Sequence, residues 1–245
     1  MICRAMLTIC LPTYNERSNL EAIVRALGAV FVEHGLDGRV LVVDDASPDG
    51  TGELADRLAA ELEWVDVLHR SRKEGLGPAY LAGFRRALAD GAELVLEMDA
   101  DFSHDPHDVP RLVGATREAD LAIGSRYVRG GGVRNWGPVR RAVSRGGCLY
   151  AQALLQLPVR DSTAGFKCYR RAVLEALPLT RIDSRGYAFQ IETTYRALRT
   201  GFRVVEVPVV FTDREEGSSK MTGAIVLEAV WKVPALRLAA ALARL

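Results

Sequence analysis

The sequence predicts an α/β domain built on a mostly parallel sheet, and three observations predict it. Short apolar runs alternate with stretches whose apolar residues recur at helical spacing, and the links between them are short. The residues least suited to a core gather where the apolar runs end. With 245 residues, 49% of them apolar, the chain is long enough to bury one substantial core.

The elements follow in order. MLTICL (6–11) reads as the first strand, and residues 17–33 place Leu20, Ile23, Val24, Leu27, Val30 and Phe31 on one helical face. A strand at 39–43, a helix at 52–62, a strand at 65–69, a helix from Pro78 to about Ala89, and strands at 93–98 and 120–124 complete the alternation. Beyond Arg126 the pattern loosens. A Gly-rich loop, VRGGGVRNWGP, precedes a helix from about Val139 to Gln156, a strand at 165–170, a helix at 186–199 and strands within 202–211 broken at Pro208. No internal repeat or low-complexity linker appears, so residues 1–222 read as one domain with halves at about 1–125 and 126–222. Residues 223–245 form an amphipathic C-terminal helical segment, with Leu238, Leu242 and Leu245 on one face and Pro234 placed to start a second helix. Such a segment is expected to pack on the core or to lie on a membrane surface.

Bulk charge excludes little, but its distribution is informative. The net charge is +1 and 26% of residues are charged, ordinary for a globular protein. Between Arg126 and Arg171, however, ten basic residues face one acid, Asp161. A basic segment in a balanced chain suggests an anionic partner: phosphate, nucleic acid or an anionic membrane. Nucleic acid is disfavoured, since no aromatic-rich basic motif accompanies the charge. No uncharged apolar run reaches the ~18 to 20 residues of a bilayer span, and no signal peptide precedes the first strand. Cys3, Cys10, Cys148 and Cys168 lack C-x-x-C or zinc-like spacing and read as free thiols in a reducing cytosol.

The chemistry sits at the strand ends, where open α/β sheets bind ligands. LVLEMDADFSHDP (94–106) ends a buried strand in Asp99 and Asp101. Side chains two apart on a straight strand share a face but lie too far along it, or diverge as the strand ends. The chain must therefore turn at Ala100 for both carboxylates to reach one ion. Mg²⁺ or Mn²⁺ suits such oxygen ligands together with substrate phosphates. Ser103, His104 and Asp105 are consecutive, which is not how a catalytic triad is assembled, and His104 and His107 read as loop residues. The first strand runs into Pro12-Thr13-Tyr14-Asn15-Glu16 without a glycine, and the second ends in Asp44-Asp45. The absence of G-x-G-x-x-G argues against a nicotinamide dehydrogenase. An acid, a polar aromatic loop and a D-x-D pair at neighbouring strand ends suit a nucleoside diphosphate with its metal.

Eight blocks, LPTYNE, VVDDASPDGT, GLGPAY, MDADFSHDP, GSRYVRGG, STAGFKCYRR, GYAFQIE and DREEGSSK, stand in the order seen in family 2 glycosyltransferases of the GT-A fold. The chain resembles that family over about residues 6 to 222, and within it the polyprenol-phosphate (dolichyl-phosphate) mannose synthases. The resemblance implies an inverting transfer of mannose from GDP-mannose to a polyprenyl or dolichyl monophosphate. It implies nucleotide-sugar contacts from Pro12, Tyr14, Asn15, Glu16, Asp44, Asp99, Ala100, Asp101, Arg214 and Lys220. It places the metal on Asp99 and Asp101. Some relatives use a glutamine two residues later as a further ligand, where this chain has Ser103. The acceptor phosphate maps to Arg126, Arg140 and Ser144, and the catalytic positions to Asp101 and Arg126. A peripheral place at the cytoplasmic face of the membrane follows, with room for a membrane-anchoring protein partner. The alternatives left open are another nucleotide sugar, such as UDP-glucose, and a noncatalytic nucleotide-sugar-binding subunit.

Overall fold

A computed structural model describes residues 6–184, 186–213 and 223–242. Seven strands form the main sheet in the order β3-β2-β1-β4-β7-β5-β8. β1 (Leu7–Thr13), β2 (Gly38–Asp44), β3 (Val65–His69) and β4 (Leu94–Glu97) run parallel, as do β5 (Leu121–Ser125) and β8 (Val204–Pro208). β7 (Lys167–Arg170) is inserted antiparallel between β4 and β5. β6 (Gly132–Arg134) and β9 (Val210–Thr212) make a separate two-stranded parallel sheet. The break expected at Pro208 is therefore a change of sheet.

Helices cover both faces, which is why β1, β2 and β4 are almost wholly apolar. α1 (Arg17–His34) and α2 (Thr51–Glu61) pack over one face with Leu20, Ile23, Leu27, Leu54 and Leu58 in a shared core. α1 stops at Gly35, whose φ of 59° lets its N–H reach back to the last turn. On the other face lie α3 (Leu76–Ala89), α5 (Pro138–Leu155), α6 (Arg171–Ala176), α7 (Gly186–Arg199) and α8 (Gly223–Ala241), around Tyr80, Phe84, Tyr169 and Phe189. α3 begins two residues before its expected start. Gly77 in its first turn lies so close to Ser184 that a Cβ would stand 2.4 Å from the Ser184 carbonyl oxygen. α4 (Val109–Ala115) had no counterpart in the sequence reading.

The C-terminal segment corrects one expectation. Pro234 does not start a second helix; it lies inside α8. Proline lacks an N–H, so the carbonyl of Val230 four residues earlier loses its helical partner. The Tyr150 hydroxyl of α5 donates to that carbonyl at 2.8 Å. The helix thus runs through its proline because a neighbour supplies the missing donor. Val233, Leu236 and Ala240 of α8 enter the main core, while Trp231, Leu238 and Leu242 face outward. Leu245 lies outside the described residues.

Candidate active site

β4 stops at Glu97 and the chain bends through residues 100–104, with Phe102 at a φ of 58°. The turn expected at Ala100 is present. The Tyr80 hydroxyl donates to Asp99 Oδ1 at 3.4 Å. Ser103 donates its backbone N–H at 3.0 Å and its hydroxyl at 2.5 Å to Asp101 Oδ1. The hydroxyl of Ser103 therefore buttresses Asp101 and fixes the direction of that carboxylate. Among the described residues no three His, Cys, Asp or Glu side chains gather as a metal cage. Two carboxylates completed by substrate oxygens match the hard donor set of Mg²⁺ or Mn²⁺, and such a set fits the implied ion.

His104 is not an ordinary loop residue. Its ring stacks on Phe166 with centroids 4.9 Å apart and meets Phe211 edge-on at 5.3 Å. Nδ1 accepts the backbone N–H of Asp99 at 3.4 Å. Burial lowers its pKa to about 4, so the ring is neutral near neutral pH. It props the carboxylate turn from behind. The sequence concealed this because both aromatic neighbours come from distant segments.

The first two strand ends form a continuous rim with this turn, since Pro12 pairs with Val43 and Thr13 with Asp44. Asp44 is buried and accepts from Thr13 Oγ1 at 3.3 Å, from Ser47 N–H at 3.1 Å and from Ser47 Oγ at 2.5 Å. Asn15 takes a left-handed φ of 57° and donates its N–H to Ser47 Oγ at 3.1 Å. Glu16 donates its N–H to Thr51 Oγ1 at 3.1 Å, and its carboxylate accepts from Asn19 at 3.0 Å. Lys73 Nζ sits 3.6 Å from the centre of the Tyr14 ring, and Arg70 pairs with Asp45 and Glu74. The charged stretch around Arg70 and Lys73 at the end of β3 carried this signal, but read as a link it was missed.

The basic segment folds against these strand ends. Arg126, just past β5, donates its N–H, Nε and Nη2 to Asp161 at 2.9, 2.7 and 2.6 Å, and Nη2 also to Thr163 Oγ1 at 2.8 Å. Asp161 is fully buried. Burial opposes charge on both partners, yet their attraction outweighs it: the Arg126 pKa is pushed up and the Asp161 pKa is pulled down. The lone acid of the basic segment thus serves one arginine. Arg140 Nη1 binds Asp213 at 2.6 Å, and its guanidinium lies 4.4 Å from the centre of the Trp136 ring. The Arg126 guanidinium is 5.5 Å from the same ring. Ser144, one turn after Arg140 on α5, accepts from the Tyr127 hydroxyl at 2.7 Å. Trp136, Asp161 and Asp213 were missed in the sequence; the NW pair in the Gly-rich loop was the available sign. Arg214, which follows Asp213 in sequence, and Lys220 lie outside the described residues.

The carboxylate turn and the arginines are two ring contacts apart. His104 touches Phe211, and Phe211 meets Trp136 edge-on at 5.3 Å. Thr212 also donates its N–H to the Ser103 carbonyl at 3.2 Å.

Comparisons place this architecture. The family model described as Glycosyl transferase family 2 matches residues 8–177. A Mycolicibacterium smegmatis protein named polyprenol monophosphomannose synthase is 52% identical over 228 residues, 92% of this chain and 84% of that protein. A Micrococcus luteus protein named undecaprenyl-phosphate mannosyltransferase is 51% identical over 235 residues, 96% of this chain and 95% of that one. Among solved structures, glucosyl-3-phosphoglycerate synthase from Mycobacterium tuberculosis with Mn²⁺, uridine diphosphate and phosphoglyceric acid superposes with a TM-score of 0.69 at 20% identity. That match covers 95% of this chain and 78% of the other. The same enzyme with Mg²⁺ and uridine diphosphate gives a TM-score of 0.68 at 19% identity, covering 95% and 79%. These show the fold, a GT-A glycosyltransferase core. With its family model spanning most of the domain and relatives half identical along nearly its whole length, this chain belongs to glycosyl transferase family 2.

Proposed function

We propose that the chain transfers mannose from GDP-mannose to a polyprenyl or dolichyl monophosphate, with inversion at the anomeric carbon. One observation carries the reading most directly: a carboxylate pair suited to a metal-bound diphosphate lies two ring contacts from two arginines that meet at one indole. The names of the two relatives supply the sugar and the lipid class. Pro12, Tyr14, Asn15, Glu16 and Asp44 would hold the nucleotide, with Ala100 alongside it and Arg214 and Lys220 on the diphosphate. Asp99 and Asp101 would hold Mg²⁺ or Mn²⁺, both of which accompany a nucleotide in the fold neighbours. When bound, the ion neutralises charge on the leaving diphosphate.

Arg126, Arg140 and Ser144 would receive the acceptor phosphate. A phosphate oxygen attacks the anomeric carbon as the bond to the diphosphate oxygen breaks. The nucleophile is already anionic near neutral pH, the second pKa of a phosphomonoester being about 6, so no proton need be removed. His104, neutral and with Nδ1 engaged, makes a poor general base, consistent with such an acceptor.

No helix among the described residues is long and apolar enough to cross a membrane. Lipid access would instead come from a surface made by α5 and α8, which expose Val139, Val143, Leu149, Trp231 and Leu238 among arginines such as Arg141 and Arg237. An apolar face with basic residues suits a peripheral place on an anionic membrane, or a membrane-anchoring protein.

Kinetics of Arg140→Ala test the acceptor assignment. A charge-assisted contact is worth about 1.5–3 kcal/mol, so efficiency with a short polyprenyl phosphate should fall by about one to two decades. GDP affinity should hold, and Arg134→Ala should be nearly silent. Weakened GDP binding with normal lipid kinetics would put Arg140 on the donor side.

A further inference from the structure

The described residues contain few buried side-chain donors without an acceptor, and two of them adjoin. Trp136 is 6% exposed, and its indole Nε1 has no hydrogen-bond partner among the described residues. Arg140 Nε is likewise buried and unpartnered. The two side chains stack, with the guanidinium 4.4 Å from the ring centre, so the orphan donors belong to one cluster. Asp213 engages only Nη1 of that guanidinium. A buried N–H without an acceptor is costly, and each such group in a folded protein calls for an explanation. Both guanidinium groups at the ring already carry a carboxylate, Asp161 on Arg126 and Asp213 on Arg140, so what the site adds is two unmatched N–H donors beside the start of the 18-residue helix α5 at Pro138.

The indole is held in place by more than the arginines. Phe211 meets it edge-on at 5.3 Å, and Phe211 in turn rests on His104. Such packing restricts the ring to one orientation, which a hydrophobic filler would not need. An aliphatic or phenyl side chain would fill this space without burying a polar atom. Tryptophan brings a donor to a position where the described residues offer no acceptor.

We propose that the Trp136 indole N–H and Arg140 Nε together donate to the acceptor's phosphate monoester, so that Trp136 is a further acceptor-binding residue. This rests on the acceptor-site reading of Arg140 given above. The N–H is a neutral donor that keeps one direction whatever the protonation state of the phosphate. Arg140 supplies charge and Trp136 supplies direction. A phosphate held by both would have one oxygen fixed, leaving its others to meet Arg126 or face the donor sugar.

The test uses the full chain labelled with ¹⁵N-tryptophan, which carries three indole groups. Trp64→Phe and Trp231→Phe identify the Trp136 signal by elimination. Farnesyl phosphate, a short polyprenyl monophosphate, should move that signal downfield, while farnesol and GDP should leave it in place. A signal that moves with GDP but not with farnesyl phosphate would overturn the proposal, placing the indole on the donor. Inorganic phosphate producing the full shift at the same concentration would overturn the lipid assignment. In kinetics, Trp136→Phe should raise KM for farnesyl phosphate by about tenfold or more, the loss of a hydrogen bond to a charged group, with KM for the sugar donor unchanged. The two readings separate cleanly. Unchanged farnesyl phosphate kinetics in Arg140→Ala would remove the acceptor site itself. A raised KM in Arg140→Ala with an indole signal unmoved by farnesyl phosphate would remove Trp136 alone.

Discussion

Asp161 shows how one residue sets the electrostatics of the basic segment. It is buried with Arg126, and removing one partner of such a pair strands the other's charge. Asp161→Asn should destabilise the fold by about 3–5 kcal/mol, read from urea unfolding, and Arg126→Met in that background should restore part of the loss. The pH dependence has a definite sign. The pair depresses the folded-state pKa of Asp161, so its contribution is full above the ordinary carboxylate value of about 4 and fades as pH falls through the lower folded value. The gap in unfolding free energy between wild type and Asp161→Asn should therefore shrink on acidification below that range, and a constant gap would refute the assignment. At Asp101 the expectation concerns chemistry. Asp101→Asn should cost about two decades or more in turnover, as for loss of a group that stabilises developing charge, with little change in the unfolding midpoint. Asp99, Asp101 and Asp44 stand out in the sequence as carboxylates at strand ends, whereas Arg140 was singled out through the family resemblance, with its four-residue spacing from Ser144 in support. Asp161 and His104 were not legible, because their meaning lies in partners brought together only by the folded sheet.

Among the elements, α8 is the least predictable from sequence. The sequence suggested an amphipathic helix with Leu238 and Leu242 on one face and a break at Pro234, but apolar residues nearly surround its axis, with Val233, Leu236 and Ala240 buried while Leu238 and Leu242 face outward. The packed structure resolves both points through α5, whose Tyr150 satisfies the Val230 carbonyl. Tyr150→Phe should destabilise by about 0.5–1.5 kcal/mol, the net worth of one hydrogen bond whose acceptor lies at the surface, where water can replace the lost donor. The two faces of α8 can also be separated by substitution. Leu236→Ala, at a core position, should cost about 2–5 kcal/mol. Trp231→Ser, at a position 76% exposed, should leave stability nearly unchanged but weaken binding to anionic liposomes. If Trp231→Ser leaves liposome binding untouched, the outward face serves another surface. The strands of the first half, by contrast, were read within a few residues. Their β-branched and leucine runs and the intervening helical stripes are strong local signals, whereas β6 and β9 are three residues each and owe their pairing to the second half as a whole.

Over the whole molecule, the sheet order brings two kinds of site to one edge. β1, β2 and β4 deliver the carboxylate turn and the loops of the proposed donor side, and the insertion of β7 carries β5 and the basic segment beside them. The parallel alternation made the first half recognisable, but the antiparallel β7 and the crossover that seats Trp136 near the carboxylate turn depend on contacts far apart in sequence. A family 2 glycosyl transferase with this layout should need a nucleotide sugar, a divalent cation and an anionic acceptor together. The most direct measurement is transfer of labelled sugar by the purified chain to farnesyl phosphate, with GDP-mannose and UDP-glucose compared as donors and farnesol as the uncharged acceptor. Mannosyl phosphate product should form from GDP-mannose only with farnesyl phosphate and should vanish in excess EDTA. Equal transfer to farnesol, preference for UDP-glucose, or full activity in EDTA would each contradict the account.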